Sequence, residues 1–217
     1  MRYAEETGDP VLIAAAAWNI GHAMLTSDMP DGALDLAMRT SERLEPLLPD
    51  GTPEVYSIYG DLQLVAAHAA ARTADSRKGL QLLRGPAREA ATKLGDGQNH
   101  HGSVFGPTNV AIYAVTLEAE AGETSEALRL ADDVDITAIP SLERRTTHLY
   151  QVARCHERRG NDTAVLVHLQ MAHKQCPEDF PYKGTVRTMV HTLVRRARRS
   201  YASEIREFAR TVALLDR

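Results

Sequence analysis

Apolar residues recur three or four positions apart along nearly the whole chain, which is the spacing that places them on one face of an α-helix. Polar residues, glycine and proline punctuate these stretches, and no alternating strand pattern of convincing length occurs. Alanine and leucine are plentiful, whereas aromatic residues make up only 5% of the chain. That composition favours closely packed helices over a sheet sandwich, and the sequence therefore predicts an all-α fold.

Short turns divide the pattern into helices that pair as hairpins. Asp9-Pro10 and Pro30-Asp31 are start signals for the first two helices, and Pro53 suits the first position of the next. Further helices are predicted at 53–73, 76–94, 107–121, 124–134, 141–159, 162–175, 184–198 and 202–215. Pairing gives hairpins 9–48, 53–94, 107–134 and 141–176, with closing helices over 184–215. The sequence predicts that these form one domain over 1–217.

Three of the hairpins resemble one another, which indicates an internal repeat. Each has a first helix, a short polar turn and an alanine early in the second helix, namely Ala33, Ala127 and Ala164. A small side chain is needed there because the two helices of a hairpin cross closely. The pattern resembles a degenerate tetratricopeptide repeat, with Gly21, Ala33 and Ala37 at its small-residue positions. The resemblance implies a right-handed superhelix of antiparallel helical hairpins; the alternative is a generic helical bundle with coincidental small residues.

The second hairpin departs from the repeat, and so does the spacing of the alanines. Residues 53–94 form a longer hairpin without the alanine, and 37 residues separate Ala127 from Ala164. A regular tetratricopeptide array would have a period of about 34 residues. The repeat is therefore expected to be irregular.

The stretch NHHGSVFGPTN, at 99–109, interrupts the helices. Pro107 suits a first helical turn, and Thr108 or Asn109 is predicted to bind the free N–H groups there. Phe105 is predicted to staple that helix to the preceding hairpin. Gly97, Gly102 and Gly106 are predicted to permit positive φ. The stretch is either a plain connector or the border of a binding site.

Two adjacent histidines in this loop have no evident capping or packing role. His100 and His101 are polar groups beside a predicted groove, and loops of that kind often carry binding residues. His100 and His101 are therefore either solvated surface residues or ligand contacts.

The stretch also resembles part of a known family. Together with GDPVLIAAAAWNIGHAML near the start, it is similar to the C-terminal repeat domain of actinobacterial Xre-type helix-turn-helix transcriptional regulators. The matching residues are Gly97, Asn99, Phe105, Gly106, Pro107, Thr108, Asn109 and Val110. The resemblance covers nearly the whole chain, including the tail EIREFARTVALL. His100 and His101 stand where the family has an acidic or aromatic pair, and residue 1 already lies in the repeat region, without the DNA-binding domain.

The resemblance implies a non-enzymatic domain that senses a peptide or small molecule and contacts a protein partner or a second copy. DNA would be bound only through the missing helix-turn-helix domain. The ligand groove is predicted on the concave surface lined by the first helix of each hairpin. Its predicted residues are Trp18, His22, Ser57, Asp61, His100, His101, Phe105, Asn109, Thr116 and His156. This mixture suits a peptide or a small polar–apolar molecule. Trp18 is either a groove anchor or a core residue, and His22 and Asp61 could pair across helices.

Other functions have little support in the sequence. His168 and His173 are five residues apart, off one helical face, so no metal site is expected. No catalytic residue and no cofactor are expected either. The alternative function is an all-helical small-molecule-binding protein or enzyme, with Asp96, His100 and His101 as its polar centre. The basic run RRARR at 195–199 is interpreted as the solvated face of a capping helix.

The net charge, the cysteines and the lengths of the apolar runs indicate where in the cell the protein is expected. The net charge of −4 is not typical of a nucleic-acid-binding chain. Cys155 and Cys176 have neither metal-site nor redox spacing, which favours a reducing cytosol. No apolar run approaches the roughly 20 residues that a membrane span needs. A cytoplasmic protein without membrane contact is therefore expected.

Overall fold

A computed structural model describes residues 2–139, 141–178, 180–198 and 201–212. Within these ranges the chain is helical and contains no β-strand, so the all-α prediction is confirmed. Contacts divide the chain into two compact units, Met1–Gly122 and Glu123–Arg217. The boundary between the units falls inside the predicted hairpin 107–134, and the single domain over 1–217 stays a prediction.

The first unit begins with a short helix that the sequence analysis did not anticipate. Its helices are α1 (Arg2–Thr7), α2 (Pro10–Thr26), α3 (Pro30–Leu44), α4 (Pro53–Arg72), α5 (Ser76–Leu82), α6 (Arg88–Leu94) and α7 (Pro107–Glu120). A 3₁₀ turn, Glu45–Leu47, continues α3, and a π-helical turn, Leu83–Ala87, joins α5 to α6. Asp9 caps α2 by accepting a hydrogen bond from the Val11 N–H at 2.8 Å.

Helix α4 is the centre of this unit. Fifteen of its 20 residues are buried, and it packs against α2, α3, α5, α6 and α7. A helix that is buried on every side needs apolar or small residues all round, and the alanine-rich second half of α4 provides them. Small residues also let its neighbours approach. A Cβ on Gly21 would lie 2.9 Å from Val65 Cγ1, and one on Gly79 would lie 2.7 Å from the Ala67 carbonyl oxygen.

The second unit is a separate helical cluster with its own core. Its helices are α8 (Thr124–Asp132), α9 (Leu142–Arg158), α10 (Asp162–Gln175), α11 (Gly184–Arg196) and α12 (Ala202–Thr211). Short 3₁₀ turns occur at Ile136–Ala138 and Phe180–Tyr182. Leu149, Leu169, Phe180, Met189 and Ile205 are buried together in its core. Residues 213–215 of the predicted last helix lie outside the described residues.

Small residues occupy a common position near the start of the second helix in three of the predicted hairpins. Ala33 and Ala127 are the fourth residues of α3 and α8, and both are completely buried. Gly79 is the fourth residue of α5, so the second hairpin has a small residue that the search for alanine missed. In α10 the fourth residue is the buried Val165, whereas Ala164 is only partly buried. The assignment of Ala164 to this position was therefore wrong by one residue.

The remaining helix ends differ from the predictions by at most a few residues, as expected where ends fray. None of the helices in the described part of the chain combines the length and the apolar character needed to cross a membrane.

Candidate functional site

The loop before α7 is anchored on α4 by Phe105. Its ring is 1% exposed, and it lies directly over Gly60, where any Cβ would overlap the ring. Phe105 therefore lies in the core of the first unit. The predicted staple between the loop and the preceding hairpin is present, and the Phe105 ring packs on the backbone at Gly60.

Two buried polar contacts join α4 to the loop and to α7. The hydroxyl groups of Ser57 and Ser103 are 2.6 Å apart. The amide of Asn109 donates from Nδ2 to Asp61 Oδ1 at 3.2 Å. All four residues are at most 3% exposed. The three predicted groove residues among them, Ser57, Asp61 and Asn109, therefore line a closed seam and not an open surface. Buried polar pairs of this kind fix one arrangement of the elements they join, because leaving either partner alone would cost about 1–3 kcal/mol.

The start of α7 is capped by Asp96. Its carboxylate accepts hydrogen bonds from the Thr108 N–H at 3.1 Å and from the Thr108 hydroxyl at 2.9 Å. The prediction that Thr108 or Asn109 caps this helix was wrong, because the acceptor comes from twelve residues earlier in the chain. Gly106 is needed for close approach: a Cβ there would lie 2.8 Å from the Gly95 carbonyl oxygen. Its backbone is extended, at φ 169°, so the predicted positive φ was wrong for this residue.

The two histidines of the loop differ from each other. His101 has a φ of 53° and places Nε2 against the Glu54 carboxylate at the start of α4. The prediction that it has no packing role was therefore wrong. His100 is half-buried, and its Nε2 atom is buried without a hydrogen-bond partner in the described residues.

The backbone of the same loop is strained at Val104. This β-branched residue has a φ of 47°, in the left-handed region that such residues rarely adopt.

Trp18 on α2 and Thr116 on α7, two further predicted groove residues, are buried in the first unit, whereas His22 is half-buried. Trp18 is 8% exposed and meets the His22 ring edge-on at a centroid distance of 5.4 Å. This favours the core interpretation of Trp18. Thr116 is buried, and its hydroxyl donates to the Ile112 carbonyl oxygen at 3.2 Å.

His156 lies in the second unit, in a cluster of histidines that the sequence analysis did not recognise. Its ring lies beside that of His168, with centroids 5.2 Å apart and planes tilted by 32°. His148 is 1% exposed, and burial, followed by repulsion from His168, lowers its pKa to about 4. Burial also lowers the pKa of His156, helped by His168 and Arg159 and opposed by Asp132. Spacing within a single helix does not reveal this cluster, because α9 supplies His148 and His156 and α10 supplies His168.

The alternative acid–base centre is not favoured by these contacts. Asp96 accepts two hydrogen bonds from Thr108, and His101 lies against Glu54, so two of its three residues have structural partners. Among the described residues, no three His, Cys, Asp or Glu side chains are grouped so that they could hold a metal ion. Comparison of the chain with models of protein families, with curated proteins and with solved structures finds no match in any of the three.

Proposed function

We propose that this chain is the non-enzymatic ligand-sensing and protein-interaction domain of a transcriptional regulator of the Xre helix-turn-helix type. The observation that carries the proposal is the fit between the motif and its contacts. Phe105 fills the space over Gly60, Gly106 allows close approach to Gly95, and Asn109 binds Asp61. Three of the residue types in the motif are thus accounted for by a contact. These contacts are the support that the proposal takes from the structure, and the family itself stays an inference from the sequence motif.

The right-handed superhelix of degenerate tetratricopeptide-like hairpins is part of the same proposal. It is supported within the first unit by the contacts of α4, which packs on both helices of the preceding hairpin, on α5 of its own hairpin and on α7. In repeat arrays each hairpin buries the face of its neighbour in this way. The buried small residues Ala33 and Gly79, on the packed pairs α2–α3 and α4–α5, support it as well.

Sensing would work by a population shift. A peptide or small molecule that binds one curvature or one dimer arrangement more tightly shifts the domain towards it. A protein partner or second copy would transmit the change in the cytoplasm, and DNA would be contacted by a helix-turn-helix segment of the same protein or of its partner. The closed seam between α4, the loop and α7 contains two polar contacts, Ser57 with Ser103 and Asn109 with Asp61. A change in curvature would have to preserve both contacts or break both together.

Transcript profiling of a strain with the gene deleted tests this function. We expect a small set of transcripts to change and to return to their normal levels when the intact gene is restored. Unchanged transcripts accompanied by accumulation of a metabolite would favour the enzyme alternative and contradict the proposal.

A further inference from the structure

The first unit has a cavity that lies apart from the closed seam and is lined by other residues. It has a volume of about 80 Å³ and lies between the end of α3, the start of α4 and helix α6. Tyr56, Tyr59, Leu48 and Pro86 form its apolar and aromatic walls, and Glu89 and Lys93 supply charges. A cavity of this size exceeds what one water molecule needs, about 10–15 Å³ on the same kind of measure.

The π-helical turn before α6 helps to shape this cavity. Leu83–Ala87 has one extra residue in its turn, with Pro86 inside it, so this part of the helix departs from regular α-helical geometry. Pro86 also has no N–H to donate. π-Helical turns are often found at functional sites, and here Pro86 is one of the cavity walls.

Lys93 is held in place without a carboxylate partner. Its ammonium group donates to the Tyr56 hydroxyl at 3.3 Å and lies 5.1 Å from the centre of the Tyr56 ring. The Tyr56 hydroxyl in turn donates to the Leu48 carbonyl oxygen at 2.5 Å. The described residues place no carboxylate within 4.0 Å of the Lys93 ammonium group. Two of its three N–H groups therefore remain for an anion.

Glu89 is the opposite charge at the same cavity. It lies one helical turn before Lys93, in the order that most favours an ion pair on a helix, yet the described structure contains no ion pair between them. The neighbouring Tyr59 is 7% exposed. Burial, with Glu45 and Glu89 next, raises the pKa of Tyr59, so its hydroxyl stays protonated. The cavity thus presents a separated cation and anion beside an aromatic wall.

We propose that this cavity binds a small apolar α-amino acid as a zwitterion. The carboxylate of the ligand would accept hydrogen bonds from Lys93, and its ammonium group would face Glu89. The apolar side chain would lie against Tyr56, Leu48 and Pro86. The proposal rests on ligand sensing only for its regulatory consequence, since binding at this cavity is measured separately.

Titration of the full chain followed by amide NMR shifts tests the site, with L-leucine as the probe. 4-Methylpentanoate is L-leucine without its ammonium group, and isoamylamine is L-leucine without its carboxylate. We expect saturable shifts at residues around the cavity with L-leucine and binding at least about tenfold weaker for each analogue, the usual effect of losing a hydrogen bond to a charged group. Equal affinity for all three compounds, or no saturable shift, would overturn the proposal.

Substitutions locate the binding at the two charges. Lys93→Met and Glu89→Gln should each weaken L-leucine binding at least about tenfold, and both residues are exposed enough for the fold to persist. Lys78→Met, on α5 and outside the cavity, is the matched control and should leave the affinity unchanged. Unchanged binding in Lys93→Met would exclude this cavity. L-leucine binding without any transcript change on gene deletion would support the binding site and contradict the regulator function. Transcript changes without L-leucine binding would support the regulator function and contradict the binding site.

Discussion

At the scale of single residues, the contacts explain why particular side chains are present in the motif. Gly60 leaves the space that Phe105 fills, and Asp96 supplies the acceptor that the first turn of α7 requires. Two polar residues predicted to line a groove, Asn109 and Asp61, instead pair with each other inside the first unit. Residue chemistry alone could not distinguish these two placements, because a buried pair and a groove need the same polar groups.

Gly60→Ala tests the anchoring of the loop. The added Cβ would overlap the Phe105 ring, and overpacking of this kind costs about 1–3 kcal/mol, although alanine is the better helix former. Urea denaturation followed by circular dichroism should show this loss, and Phe105→Leu in the same chain should restore part of it. Gly85→Ala is the control, since no atom lies within 4 Å of its added Cβ. A stabilised Gly60→Ala would mean that Phe105 does not lie over Gly60.

His148 should make the second unit sensitive to acid. Its pKa falls from the ordinary 6.5 to about 4 on folding, so below pH 6.5 the unfolded chain takes up a proton that the native chain does not. The stability is therefore complete above pH 6.5 and is lost as the pH falls towards 4. Between pH 7 and 5 the loss from this residue should be about 2 kcal/mol.

Hydrogen exchange over 142–175, measured at pH 7 and pH 5 after correction for the intrinsic rate, follows this stability. His148→Leu should reduce the pH dependence, because the buried site then holds no titrating group. His191→Leu, at an exposed position on α11, should leave it unchanged. An equally steep dependence in His148→Leu would show that other groups cause it.

At the scale of helices, most of the fold could be predicted from local signals. Apolar spacing, prolines at first helical positions and the Asp9 cap all act within a few residues, so α2 and α3 begin where the sequence predicts. The π-helical turn, the Asp96 cap and the pair formed by Asn109 and Asp61 depend on parts of the chain that meet only in the folded molecule. The sequence therefore predicted the helices but not the closed seam.

The register of the buried small residues can be tested by enlarging their side chains. Ala33→Leu and Ala127→Leu place a larger side chain at completely buried positions and should each cost about 1–3 kcal/mol. Ala164→Leu is the control, because Ala164 is only partly buried and Val165 occupies the crossing position. The melting temperatures of the Ala33→Leu and Ala127→Leu variants should lie clearly below that of the Ala164→Leu variant. Equal melting temperatures for all three would contradict the register.

At the scale of the whole molecule, the chain consists of two compact units of unlike charge. Acidic residues outnumber basic ones over 1–122, and basic residues outnumber acidic ones over 123–217. The two balances leave a net charge of −4. This distribution gives no reason to expect the chain by itself to recognise a DNA sequence.

Gel retardation with the isolated chain 1–217 tests that expectation. We expect no sequence-specific complex with duplex DNA at physiological salt, because the chain has net charge −4 and no recognisable recognition helix. Any weak complex formed at low salt should disappear as salt is added and should form equally well on a scrambled duplex. A complex that persists at physiological salt and prefers one sequence would contradict this prediction.

Chromatin immunoprecipitation of the tagged natural protein, expressed from its own gene, measures most directly whether this fold serves a transcriptional regulator. The account predicts enrichment of a small number of promoter regions, including those of genes whose transcripts change when the gene is deleted. DNA recovered evenly across the genome, at the level of an untagged strain, would contradict it.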